Sequence, residues 1–66
     1  MHAPVEATKS KQVAARALNY RGVAYKALDD QSRALSDFDK AISYYDKSAA
    51  YFDNRQSIYH IMGRYE

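Results

Sequence analysis

Very little in this chain interrupts a helix. Its only proline is Pro4, and its only glycines are Gly22 and Gly63. Sheet proteins need frequent turns, and clusters of Gly, Pro, Asn and Asp usually mark them. The long stretches between these three residues therefore predict an all-α protein.

Capping residues divide the chain into helices. Thr8 or Ser10 suits the start of a first helix, Asp30 that of a second and Ser48 that of a third, while Gly63 suits the end of the last. We predict a flexible N-terminal segment at residues 1–9 and one helical domain at residues 10–66, with helices at about 10–28, 31–45 and 48–62.

Apolar residues recur at helical spacing in each segment. On the first helix they are Ala14, Ala17, Leu18, Tyr25 and Leu28, and Arg21 interrupts them. On the second they are Ala34, Leu35, Phe38, Ala41, Ile42 and Tyr45. On the third, Phe52, Arg55, Tyr59 and Met62 share a face. We expect Arg21 to bury its stem and keep its charged head in water.

Size and composition limit how such a domain is stabilised. With 66 residues, the chain buries only about 60% of its unfolded surface. It has no cysteine, and His2 and His60 form no zinc pattern with its acids, so we expect no metal or cofactor. Neither a signal peptide nor a run of 18 apolar residues is present, so we expect no membrane span and a cytoplasmic location by default.

The net charge of +2 is unevenly distributed. The first half holds the basic residues Lys9, Lys11, Arg16, Arg21 and Lys26. At about 100° per residue they scatter around the helix and do not form the stripe that a phosphate backbone needs. Because this stripe is missing, a small nucleic-acid-binding protein is kept only as the alternative to the function inferred below.

The first and third helices resemble each other. A shift of 34 residues, which we call the repeat shift, aligns Leu18 with Phe52, Tyr25 with Tyr59 and Leu28 with Met62. It also aligns Arg21 with Arg55 and Ala15 with Ala49. Residue class agrees better than identity at these positions. The agreement predicts a helical repeat.

Gly22 gives this repeat a specific character. It precedes Ala34 of the next helix, and in a helical hairpin we expect these two small residues to face each other and let the backbones approach closely. The pattern consists of a large apolar residue followed by Gly22, Tyr25, Ala34, Phe38 and Ala41. With its repeat period, this pattern resembles the tetratricopeptide repeat family. The resemblance covers about residues 15–66, which is one repeat and the first helix of a second.

The resemblance implies a fold and a function. In that family, antiparallel helix pairs stack into a right-handed superhelix whose concave groove binds peptides or partner proteins. The chain is thus expected to be a fragment of such a superhelix, an antiparallel hairpin plus a third helix. Its expected role is protein–protein interaction or self-assembly without catalysis.

Three positions depart from the family pattern. Asp29 stands where the turn usually has Gly, Asp46 where Pro usually separates repeats, and Gln56 where the second repeat has its packing Gly. Without the proline, the second and third helices are able to continue as one. Gln56 fits a third helix that acts as a polar cap.

The family's groove is lined by the first helix of each repeat. Mapped onto this chain, it comprises Arg16, Asn19, Tyr20, Val23 and Lys26 on the first helix and Asp53, Asn54, Ser57 and His60 on the third. Some members grip a peptide's terminal carboxylate with Lys and Asn. Asn19 and Val23 occupy those places here, and Asp53 would repel an anion, so the resemblance does not imply such a clamp.

One and a half repeats are fewer than the roughly three that a stable array needs. We therefore expect association into a homo-oligomer, with helices exchanged between protomers as one route. The expected self-association residues are Tyr51, Ile58, Ile61 and Met62. A three-helix monomer and a fragment of a longer array are the alternatives.

We expect no catalysis from this chain. It contains no nucleophile elbow, phosphate loop or metal-spaced His and Cys set. Asp53 and His60 lie two helical turns apart on one helix, about 10 Å by rise, which is too far for a hydrogen-bonded pair.

Overall fold

Within residues 5–63, the chain folds into three α-helices. A computed structural model describes the backbone of residues 5–63 and the side chains of residues 8–63. The helices are α1 (Val5–Ala27), α2 (Gln31–Tyr44) and α3 (Ala49–Met62). No strand occurs within residues 5–63, so the all-α prediction is confirmed.

Helix α1 begins earlier than its sequence suggested. It starts at Val5, so residues 5–9, which we predicted to be flexible, are helical. Residues 1–4 of the predicted flexible segment and 64–66 of the predicted domain lie outside the described residues.

The turn between α1 and α2 uses Asp29 where a glycine is common. Asp29 has a φ of 63°, in the left-handed region. Its backbone N–H donates to the carbonyl of Lys26 at 3.0 Å, and that of Asp30 donates to the carbonyl of Tyr25 at 2.8 Å. These two bonds form a Schellman motif, which Asp tolerates better than most side chains.

The predicted N-caps of α2 and α3 behave differently. Asp30 caps α2, because its Oδ1 accepts a hydrogen bond from the backbone N–H of Arg33 at 3.2 Å. Ser48 occupies the N-cap position of α3 but makes no side-chain capping bond. Gly63 ends α3 with a φ of 70°, as its position predicted.

Helices α2 and α3 are separate in this chain. Tyr45 and Ser48 have extended backbones and residues 45–48 are not helical, so the continuous helix left open by Asp46 does not form. The rings of Tyr45 and Tyr51 meet edge to face, with centroids 6.4 Å apart. In one helix, residues at that separation in sequence lie about 240° apart around the axis, so this contact requires the break.

The buried side chains form two small clusters, one near each end of the antiparallel helices. Near one end, Ala15, Ala41 and Tyr51 from the three helices are buried together with Leu18, Ile42 and Tyr45 packed around them. Near the other, Ala34, Phe38 and Ile58 are buried beside Tyr25, Leu35 and Met62. Since α1 and α3 each run opposite to α2, these contacts form a helical hairpin with a third helix packed onto it.

Gly22 packs against an aromatic ring. A Cβ placed on Gly22 would lie 2.6 Å from Cε1 of Phe38, and the three atoms nearest to it all belong to that ring. Phe38 is thus a partner of Gly22 that the sequence did not predict, and the expected facing of Gly22 and Ala34 stays a prediction. The absence of a side chain at Gly22 makes room for Phe38, which is fully buried.

The buried sides of α1 and α3 differ from the predicted ones. Leu28 is 75% exposed and Phe52 is 38% exposed, although both were placed on apolar faces. Ala17 is also exposed. On α3, Tyr51 and Ile58 are buried instead.

Candidate functional site

Polar side chains join α1 to α3. The Nδ2 group of Asn54 donates to Oδ1 of Asn19 at 2.7 Å. Farther along both helices, Nζ of Lys26 donates to Oγ of Ser57 at 2.8 Å, and that hydroxyl donates to the carbonyl of Asn54 at 3.1 Å. These bonds hold α1 and α3 side by side and running in the same direction.

Four predicted groove residues are therefore engaged within the chain. Asn19 is only 8% exposed, and Lys26, Asn54 and Ser57 are half-buried. A buried amide group left without a hydrogen-bond partner costs about 1–3 kcal/mol, so the bond between Asn19 and Asn54 favours this arrangement of the two helices. These four side chains therefore fix the register of α1 against α3 and are occupied with one another.

The other five predicted groove residues are exposed. They are Arg16, Tyr20, Val23, Asp53 and His60. Tyr20 is 66% exposed and Val23 is 44% exposed, which is unusual for apolar residues on a packed helix. They leave an aromatic and an aliphatic contact on α1, with a basic residue on α1 and an acidic one on α3.

The predicted self-association residues are divided between the core and the surface. Tyr51 and Ile58 are 9% and 0% exposed, because both pack on α2 within the chain. Ile61 is 50% exposed, while Met62 is half-buried. The exposed part of this set therefore lies at the C-terminal end of α3.

An open depression surrounds that end of α3. Ile61 and Met62 line one side, and the α1–α2 turn lines the other with Leu28, Asp29, Asp30, Gln31 and Ser32. Leu28 and Ile61 are its largest exposed apolar residues. This apolar and acidic combination is able to contact a protein surface.

Sequence reasoning missed the main ion pair. Nε and a terminal nitrogen of Arg21 donate to the two carboxylate oxygens of Asp37 at 2.7 and 2.9 Å. Asp37 is 4% exposed, whereas the Arg21 side chain is 58% exposed. The hydrogen bond to Asp37 raises the pKa of Arg21 above its already high value, so the guanidinium stays charged. Arg21 interrupts the α1 face because it pairs with α2.

A second arginine occupies a related place on α3. Arg55 contacts Asp39 of α2 at 3.3 Å, and its guanidinium lies 6.0 Å from the centroid of the Tyr59 ring. Arg21 likewise lies 5.7 Å from the ring of Tyr25. The two arginine and tyrosine pairs are the ones that the repeat shift aligned. In both, a cation over a ring supplements an ion pair to α2.

Metal binding and membrane insertion have no support in the described part of the chain. Within it, no group of three or more His, Cys, Asp or Glu residues is placed to hold a metal ion. No helix there is both long and apolar enough to span a membrane.

Comparison with known proteins found no relative. No protein-family model, no curated protein and no solved structure matches this chain.

Proposed function

We propose that this chain is a non-catalytic protein–protein interaction module of the tetratricopeptide type, which binds a protein or peptide on the surface shared by α1 and α3. The observation that carries the proposal is the pair of polar bridges, Asn19 to Asn54 and Lys26 to Ser57. They align two helices whose adjacent side chains are exposed. A groove built on two aligned helices is a rigid surface for an extended or helical peptide.

Several packing features support the family assignment. Gly22 and Phe38, at signature positions, make a close contact between the hairpin helices. Asp29 adopts the left-handed conformation at the position where the family usually has Gly. Arg21 with Tyr25, and Arg55 with Tyr59, make the same contact at positions that the repeat shift aligns.

The groove offers contacts of mixed character. Tyr20 and Val23 supply exposed apolar area, and tyrosine is enriched at protein interfaces. Arg16 lies beside them on α1, and Asp53 on α3. We infer a ligand with an apolar side chain between groups of opposite charge.

Nucleic-acid binding has less support. Of the basic side chains on α1, Arg21 pairs with Asp37 and Lys26 donates to Ser57. Fewer cations are then available to neutralise phosphates, which supply most of non-specific nucleic-acid affinity. Retention on DNA or RNA at low salt that is lost at higher salt would favour this alternative.

The experiment for the groove is selection from a random peptide library displayed on phage, followed by affinity measurement with the folded chain. We expect selected peptides to lose about tenfold or more in affinity with Val23→Glu, which places a charge in an apolar contact. Ser36→Glu introduces the same group on an exposed part of α2 and is the matched control. Peptides that tolerate Val23→Glu but not Ser36→Glu would place binding outside the groove.

Self-association belongs to the same proposal, at the C-terminal end of α3. Ile61 on α3 and Leu28 on the α1–α2 turn are both exposed and line the same open depression. Light scattering over a dilution series tests this directly: we expect an oligomer that Ile61→Glu dissociates. A well-folded monomer at every concentration would leave groove binding as the proposed function.

A further inference from the structure

A second exposed surface runs along α1. Its members, which we call the outer row, are separated by alternately four and three residues and are all exposed: Val13, Ala17, Tyr20, Ala24 and Ala27. Val13 is 58% exposed and Tyr20 is 66% exposed. An open depression lined by Lys9, Ser10, Val13 and Ala14 adjoins its N-terminal end. Alternating spacings of four and three are those by which one helix packs along another.

The outer row has a positive border. Lys9, Arg16 and Arg21 are exposed, and each lies three or four positions from a member of the row. Residues at these spacings are neighbours on a helix surface. Residues 7–28 of the sequence contain no Asp or Glu. Arg21 is paired with Asp37 of α2, so Lys9 and Arg16 supply the positive charge that an occupant of the row meets, and α1 brings no acidic group to it within residues 7–28.

The equivalent side of α3 already packs against helices. The repeat shift aligns Ala17 and Ala24 with Tyr51 and Ile58, which are 9% and 0% exposed within the three-helix core. Asn54, equivalent to Tyr20, bonds to Asn19 of α1. The same side of the same kind of helix is thus a helix-packing surface in one place and uncovered in the other.

We propose that the outer row binds an amphipathic helix of a partner protein, one whose apolar side is bordered by Asp and Glu. Charge complementarity selects this occupant. The α1 helix of a second copy would bring no carboxylate to Lys9 and Arg16 from its own residues 7–28. Ala17 and Ala24 favour a helix over a lipid surface, because small residues let a helix approach closely but contribute little area to membrane insertion.

The outer row and its border share Tyr20 and Arg16 with the groove, but the proposal goes beyond the groove because the row extends along α1 to Val13 and Ala24 and depends on neither Asp53 nor Ser57. Its test uses two labelled synthetic helices of about three heptads, each with Leu and Ala in the apolar row. One has Glu at the bordering positions and the other has Lys. Fluorescence anisotropy measures their affinity for the full chain. We expect the Glu helix to bind about tenfold more tightly than the Lys helix at low salt.

Variants of the chain locate the binding. Ala24→Glu should weaken the Glu helix by about tenfold or more, and Lys9→Glu should weaken it while strengthening the Lys helix. Ser36→Glu on α2 and Asp53→Lys in the groove should change neither affinity. Circular dichroism of each variant confirms that α1 to α3 remain folded.

Four results would overturn the proposal. Equal affinity for both helices, or affinity for neither, would show that the positive border selects nothing. Sensitivity of the Glu helix to Asp53→Lys would move its binding to the groove. Sedimentation with phosphatidylserine vesicles that Ala24→Glu abolishes, without binding of the Glu helix, would assign the row to a membrane. A dimer that Ala24→Glu dissociates would assign it to a second copy.

Discussion

Asn19 and Asn54 lie on different helices and are joined by a hydrogen bond of 2.7 Å between their amide groups. Asn19 is 8% exposed, and its loss leaves the half-buried Asn54 amide on α3 without this partner. We expect Asn19→Ala to lower the free energy of unfolding by about 1–2 kcal/mol. Urea denaturation followed by circular dichroism measures this change.

A double-mutant cycle separates the bond from the rest of the packing. Asn19→Ala and Asn54→Ala together should show a coupling of about 0.5–1.5 kcal/mol. Asp53→Ala, at an exposed neighbouring position on α3, is the control and should change stability by less than about 0.5 kcal/mol. Strict additivity of the two asparagine variants would mean that the bridge does not hold α1 and α3 in register.

The contact of Gly22 with Phe38 leads to the second prediction. In an isolated helix, Gly→Ala gains about 1 kcal/mol. Here the added methyl group would meet the Phe38 ring at 2.6 Å, and overpacking costs about 1–3 kcal/mol. We expect Gly22→Ala to destabilise the chain by about 1 kcal/mol in chemical denaturation.

The matched background is Phe38→Leu, in which the ring is absent. Phe38→Leu alone should destabilise the chain, because it leaves a cavity in the core. In that background Gly22→Ala should become neutral or stabilising, since only the helix preference remains. A stabilising effect of Gly22→Ala in the unaltered chain would show that the helices do not approach closely at this point.

Helix α2 is the element that sequence reasoning described best. Ala34, Phe38 and Ala41 share one side of this helix and are buried as their spacing predicted. Helices α1 and α3 carry apolar residues on more than one side. Periodicity then does not choose which side is buried, and Tyr51 rather than Phe52 enters the core.

The candidate site was predictable only in part, for a related reason. The family resemblance mapped Tyr20 and Val23 to the groove, and both are exposed, while their binding role stays a prediction. Spacing on a helix identifies only which residues share a side. It does not identify pairs between helices. The bond from Lys26 to Ser57 and the ion pair of Arg21 with Asp37 depend on how the helices pack, and nothing local in the sequence marks them.

Arg21 and Asp37 give the third prediction. Two parallel hydrogen bonds require the planar guanidinium, and lysine cannot reproduce them. Arg21→Lys should therefore lower the melting temperature even though the charge is kept. Arg33→Lys is the control, because Arg33 contacts Asp30 at 3.5 Å in an exposed pair, and such pairs contribute little. Equal effects of the two substitutions in thermal unfolding would contradict a specific role for the buried carboxylate.

The last prediction compares the N-cap residues of α2 and α3. Asp30 accepts a hydrogen bond from the N–H of Arg33, while Ser48 makes no capping bond with its side chain. Asp30→Ala should therefore cost about 1 kcal/mol in urea denaturation, and Ser48→Ala should cost only a few tenths. The physical reason is the free backbone donor that Asp30→Ala leaves at the start of α2. Equal losses at both positions would mean that the hydroxyl of Ser48 caps α3 in solution, and a loss at Ser48 alone would reverse the assignment of the two caps.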